Sequence, residues 1–149
     1  MKLWRLTRVG YDALDGEGAA RLGTRYSSPG RPVVSFASEA GLAVLVVLRY
    51  VPGADDAYVL GWTEAAAVPE RISGSDDAEI RLQVDSWLAE RRSLLAAISS
   101  RVLPEADVVL MNSRHPAAAK VPPLTVRPFS FADCLHAPPM LERYRETKP

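Results

Sequence analysis

From Leu42 to Leu48 the chain reads LAVLVVL. Wound as a helix, such a run is apolar nearly all the way round, and a helix without a polar face has to be buried in a core or in lipid. It is far short of the ~20 residues that span a bilayer. The expectation is therefore a helix buried inside a folded core. Ser38 just ahead reads as its N-cap, and Glu39 falls in the first turn, where the helix dipole favours an acid. Pro52 bounds the far end, so the expected helix runs from Ser38 to about Tyr50.

A core that can bury such a helix needs enough chain around it. With 149 residues, of which 48% are apolar and 24% charged, the sequence has the size and composition of one globular domain. Short apolar runs supply its strands. Lys2 to Thr7 alternates, with Leu3, Arg5 and Thr7 on one side; Pro32 to Phe36 is β-branched; Tyr58 to Trp62 is a further candidate. Ser93 to Ile98, Asp107 to Met111 and Leu124 to Phe131 follow, separated by Pro104, Pro116 and the Pro122–Pro123 pair. Tyr11 to Gly23 reads as an irregular connection with at most a short helical turn, and Glu64 to Asp77 as mostly loop. A second helix should start at Asp76 or Asp77, because Ile80, Val84, Trp87 and Leu88 fall at i, i+4, i+7 and i+8. Its opposite face, Arg81, Asp85, Glu90 and Arg91, reads as solvated. Strands and helices mix without regular alternation, so the fold class is α+β, a single compact domain over 1–133 followed by a C-terminal tail, 134–149, that reads as loosely held.

Eighteen basic residues balance eighteen acidic ones. A neutral chain lacks the electrostatic footprint of nonspecific nucleic-acid binding and leaves room only for a local basic patch. Cys134 is the only cysteine, which excludes an internal disulfide and a cysteine-based zinc site and fits a reducing, cytoplasmic setting. The N-terminus has no apolar core long enough for a signal peptide. No P-loop, GxGxxG, HExxH or GxSxG motif is present. His115 and His136 sit in proline-flanked loops without a second ligand at metal spacing, and read as surface or capping residues.

The segment GTRYSSPGRPVVSF, Gly23 to Phe36, places Arg25 in a glycine-containing turn just ahead of a strand and the apolar helix. A guanidinium fork held there suits a phosphate or a carboxylate; a structural salt bridge is the plainer alternative. Arg31, between Gly30 and Pro32, reads as a turn residue. Ser99 and Ser100 end one strand, and a serine at a strand end is usually a turn former. Asn112 to Pro116, NSRHP, ends another and by composition closes a turn.

Together these segments resemble the RES-domain family, named for an arginine, a glutamate and a serine. LWRLTRVGYDALDGEGAARLGTRYSSPGRPVV, Leu3 to Val34, resembles the family's opening, where the pattern is close to DGxGA-x-x-GGRWNSPG-x-P-V-V-Y. LPEADVVLMNSRHP, Leu103 to Pro116, resembles its C-terminal signature. The resemblance implies the toxin half of a bacterial toxin–antitoxin pair, with an ADP-ribosyltransferase-like fold of mixed sheets and flanking helices. It implies cleavage of NAD+ at the nicotinamide–ribose bond, by NAD+ degradation or by ADP-ribosyl transfer to a protein target, with no metal. The implied partner is an Xre-type helix-turn-helix antitoxin.

Residue by residue, Arg25 falls on the family's arginine and would grip the diphosphate or ribose. Tyr26 stands for a tryptophan, Ser27 for an asparagine, and Ser100 falls on the family's serine. Ser35 stands where the family has a tyrosine, and Val46 where it has the glutamate. Arg25 and Ser100 are thus the implied catalytic residues, and Arg25, Tyr26, Ser35, Val46 and Ser100 the implied NAD+-binding set.

Val46 matters because cleavage develops oxocarbenium-like charge on the ribose, which a carboxylate stabilises. Glu39 is seven residues earlier, ~10 Å along a helix, and a poor replacement. The remaining alternatives are an acceptor that supplies the missing group, or a degenerate domain that binds antitoxin or nucleotide without turnover.

Overall fold

The computed structural model describes residues 1–48 and 57–134. The expected end of the apolar helix near Tyr50, His136 and the tail 134–149 apart from the backbone of Cys134 lie outside the described residues.

The fold is α+β. Strands β1 (Lys2–Arg8), β2 (Val34–Ala37), β3 (Tyr58–Glu64), β4 (Glu70–Arg71), β5 (Leu95–Ser99), β6 (Asp107–Met111) and β7 (Thr125–Phe129) form one mixed sheet in the order β4-β5-β6-β2-β1-β3-β7. Only β4 and β5 run parallel; the other pairs are antiparallel. Among the described residues four helices accompany it: α1 (Glu17–Leu22), α2 (Ala40–Leu48), α3 (Asp77–Glu90) and α4 (Phe131–Cys134), with a short 3-10 helix at Pro116–Lys120. β1 and β3 pair along their whole length, from Lys2↔Glu64 to Arg8↔Tyr58. β1 and β2 instead register only at Trp4↔Ala37, so the sheet splays beyond that point.

Alternation along the strands sorts the core. Leu95, Ala97, Val109, Met111, Val34 and Phe36 pack together on one face. Ala96, Ile98 and Leu110 point the other way, where Ile80, Val84, Trp87 and Leu88 of α3 cover them. The stripe expected for the second helix is thus its buried face. Asp76 caps it, accepting the Glu79 N–H at 2.8 Å, while Glu79 reaches back to the N–H and hydroxyl of Ser75.

α2 lies on the same face as α3, farther along the sheet, against β1 and β2. It differs from expectation in two ways. Ser38 does not cap it: the Ser38 hydroxyl accepts the Asp107 N–H at 2.9 Å, tying the chain to β6. The helix is also not buried all round. Only Leu42 and Ala43 are buried, and Leu45 and Leu48 stay 40% and 38% exposed. An α-helix laid on a sheet covers one face, and no described element packs over the other.

Candidate functional site

Beside α2, on the face of the sheet that the helices cover, lies a cavity of about 420 Å³. That volume lies in the range of small-molecule pockets. Its lining comes from elements far apart in sequence. Ser35 enters from β2, Val46 from α2, Val108 from β6, and Ser100, Arg101 and Val102 from the turn after β5. Thr24, Arg25 and Tyr26 close it from the turn after α1. Arg25, Tyr26, Ser35, Val46 and Ser100, the five residues singled out in the sequence, therefore line one cavity.

The turn carrying Arg25 is built tightly. Gly23 has φ +70°, and a Cβ there would stand 3.0 Å from the Ser27 carbonyl oxygen and from the Pro29 ring, so a side chain is excluded on both counts. Thr24 and Ser27 bridge backbone to backbone, their hydroxyls 2.8 Å apart. Tyr26 is 7% exposed and packs into the α3 core, leaving its neighbour Arg25 at the rim.

α3 then clamps the turn from the side. Arg81 Nη2 donates to the Arg25 carbonyl at 2.8 Å. Asp85 accepts from the Ser28 N–H at 3.0 Å and its hydroxyl at 2.6 Å. The helix face expected to be merely solvated is, at Arg81 and Asp85, what holds the arginine turn in place.

A third residue on that face, Asp77, sits between the two cleft arginines. Asp77 Oδ2 is 3.8 Å from Arg25 Nε, and Asp77 Oδ1 is 2.5 Å from Arg101 Nη2. The Arg25 contact is long, with a third of each side chain exposed, and the arginine also lines the cleft. This combines the two readings open from sequence: Arg25 is both ion-paired and cleft-lining. The lining itself holds two arginines and no acid.

Ser99 and Ser100 divide their tasks. The Ser99 hydroxyl donates to the Pro104 carbonyl and closes the turn, whereas Ser100, 4% exposed, turns toward the cavity. His115 is a cap: its Nδ1 accepts the Ala117 N–H at 3.1 Å. Among the described residues no group of three or more His, Cys, Asp or Glu could hold a metal, and no helix is long and apolar enough to cross a membrane.

Sequence reasoning passed over Arg5. It leaves β1 where the sheet splays, and its Nη1 donates to the Ser35 carbonyl at 3.1 Å while its buried Nε has no hydrogen-bond partner. Burial pushes its guanidinium below the ordinary value, against the charge of Asp15. A second cavity of about 580 Å³ opens beside Arg5 and shares Thr24 and Ser35 with the first. A lone arginine between Leu3 and Thr7 on an inward-facing strand side was the available signal. For Asp77, Arg81 and Asp85 it was their i, i+4, i+8 spacing, which puts all three on one face.

The architecture has a solved counterpart. A chain of the crystal structure of the M. tuberculosis MbcT–MbcA toxin–antitoxin complex is similar at TM-score 0.72, covering 88% of this chain and 85% of its own, with 16% sequence identity. At that identity the likeness speaks for the fold. No curated protein matches by sequence. The RES-domain family model matches residues 2–132, which spans every element that builds the cleft. The chain belongs to the RES-domain family.

Proposed function

We propose that this protein is the toxin of a toxin–antitoxin pair and that its cleft binds NAD+ and directs cleavage of the nicotinamide–ribose bond. The observation that carries this reading is the convergence of Arg25, Tyr26, Ser35, Val46 and Ser100 on one cavity. Family membership supports the toxin class, and the similar MbcT–MbcA structure, a toxin–antitoxin complex, supports an antitoxin as partner. The family expectation makes that antitoxin of the Xre type.

The chemistry follows from the lining. Arg25 and Arg101 offer guanidinium forks to the diphosphate. With the anionic part held there, the nicotinamide end lies toward Ser35 and the apolar side chains of Val46 and Val108. The C1′–N1 bond breaks with its electron pair leaving on nicotinamide, which departs neutral and leaves the charge on the ribose. An oxygen then attacks C1′ and loses its proton. Water as attacker gives ADP-ribose; a side chain of a protein acceptor gives an ADP-ribosylated protein.

No acid lines the cleft to stabilise the cation or take that proton. Attack by free water is therefore slow, and an acceptor that brings its own carboxylate or base favours transfer.

The test is to incubate the purified chain with NAD+, with and without cell extract, and follow nicotinamide release together with ADP-ribose adducts by mass spectrometry. Release is expected in both arms, faster with extract and accompanied by adducts. NAD+ left intact in both arms by a folded chain would overturn the reading and favour a domain that binds without turnover.

A further inference from the structure

At the opposite end of β2 and β6 from the cleft lies a small cavity of about 80 Å³ whose lining includes Arg31, Arg91 and Arg114 together with the buried Asn112. It shares no lining residue with the cleft. We propose that this three-arginine cavity is a binding site for a phosphate-class oxyanion. The proposal is independent of the function assigned to the cleft.

Three arginines lining one small cavity, Arg91 and Arg114 of them exposed, gather like charge that an anion between them would offset. The described acids do little to balance them. Asp85 reaches only Arg31 Nε, at 3.6 Å, and both Asp85 oxygens already accept from Ser28. Arg91 and Arg114 have no ion pair among the described residues, and no acid lines the cavity.

The surrounding backbone is fixed before any ligand arrives. Asn112 Nδ2 donates to the Leu88 carbonyl at the end of α3, and Asn112 Oδ1 accepts the Arg114 N–H. This joins the helix end to the NSRHP loop. Arg91 itself occupies a left-handed conformation, φ 51°, ψ 39°, just past α3, where a glycine would be the relaxed choice.

The size of the cavity selects the ligand. It has room for one tetrahedral oxyanion and a forked hydrogen-bond pattern around it, and not for a nucleoside. Free phosphate and the terminal phosphate of an ester share this chemistry.

The test is thermal unfolding of the intact chain in sodium phosphate and in sodium chloride at matched, low ionic strength. Phosphate at ten times its Kd should raise Tm by about 4 °C over chloride. Arg91→Gly relaxes the backbone, so it should fold and keep or raise Tm in chloride. It should weaken phosphate about tenfold, as should Arg114→Ala. Arg25→Ala, in the cleft, should leave the phosphate response unchanged. Repeating the titration with AMP in Arg25→Ala, where the cleft competes least, and counting only the response that Arg91→Gly removes, identifies the source: tighter binding than phosphate assigns an ester, weaker binding assigns the free anion. A wild-type Tm that is the same in phosphate and chloride would overturn the proposal. So would a full response in Arg91→Gly, or a response lost only in Arg25→Ala.

Discussion

At the rim of the cleft, Arg25 and Arg101 stand with side chains 34% and 53% exposed, sharing Asp77 between them. Deeper in, Tyr26 and Ser100 are buried, Val46 and Val108 are half-buried, and no acid is present. One region supplies charge where solvent still reaches; the other supplies shape and dryness without a catalytic anion. The difference separates two jobs that a glycosidic-bond enzyme usually combines, gripping an anionic substrate and stabilising a cationic transition state. The rim is equipped for the first. Under the proposed function, the floor, with Val46 where the family resemblance puts a glutamate, leaves the second to whatever attacks.

Removing the rim charge should have the largest effect. Arg25→Ala is expected to weaken NAD+ about a hundredfold, the worth of one or two charge-assisted hydrogen bonds. Tm should fall far less than affinity, since the Asp77 ion pair that is lost is long and about a third exposed. Calorimetric titration and a melting curve on the same sample check both halves. Undiminished affinity would break the division between rim and floor.

Adding charge to the floor should come next. Val46→Glu is expected to raise nicotinamide release into water about tenfold or more, because a carboxylate then stands beside the ribose. Burial lifts the pKa of the new acid and Arg25 pulls it back, so the gain should grow as pH rises through that pKa. A folded variant with no gain at any pH would mean that the missing glutamate is not what limits the floor.

Asp85→Asn probes the support beneath the rim. The turn keeps its residues but loses a charge-assisted clamp on Ser28. Stability should fall by about 1–2 kcal/mol in urea titration, and NAD+ affinity by severalfold through a looser Arg25. Lower stability with unchanged affinity would show that the clamp serves the fold alone.

The smallest effect concerns acid. Hydrogen bonds from the Ser75 N–H and hydroxyl hold the Glu79 carboxyl below its ordinary 4.5. Its folded pKa is thus lower than its unfolded one. The contribution is present above the unfolded value and is lost as pH falls through the folded value. Melting curves taken downward from pH 5 should show slightly less acid sensitivity in Glu79→Gln than in wild type, because the carboxyl that Ser75 holds is no longer there to take up a proton.

The sequence revealed different parts of the molecule for different physical reasons. Strand alternation and the Ile80, Val84, Trp87, Leu88 stripe depend on local periodicity, and both appear in the structure where the pattern puts them. The apolar run of α2 was misleading about burial because hydropathy reports what a segment tolerates, not how many neighbours the topology provides. Leu45 and Leu48 remain exposed although nothing polar marks them as outward.

Within the cleft, Arg25 and Ser100 were legible from motif resemblance. Arg81 and Asp85 were not, since a charged helix face looks solvated until the turn it clamps is in place. Arg5 was invisible for a related reason: its burial depends on a splay between β1 and β2 that pairing register, not composition, decides.

The account rests on which end of NAD+ meets which region. A structure of the chain with a non-cleavable NAD+ analogue tests this most directly. The diphosphate is expected on Arg25 and Arg101, with the nicotinamide ribose against Ser35, Val46 and Ser100. An analogue bound away from this cleft, or bound in it with the diphosphate at the apolar floor, would contradict the account.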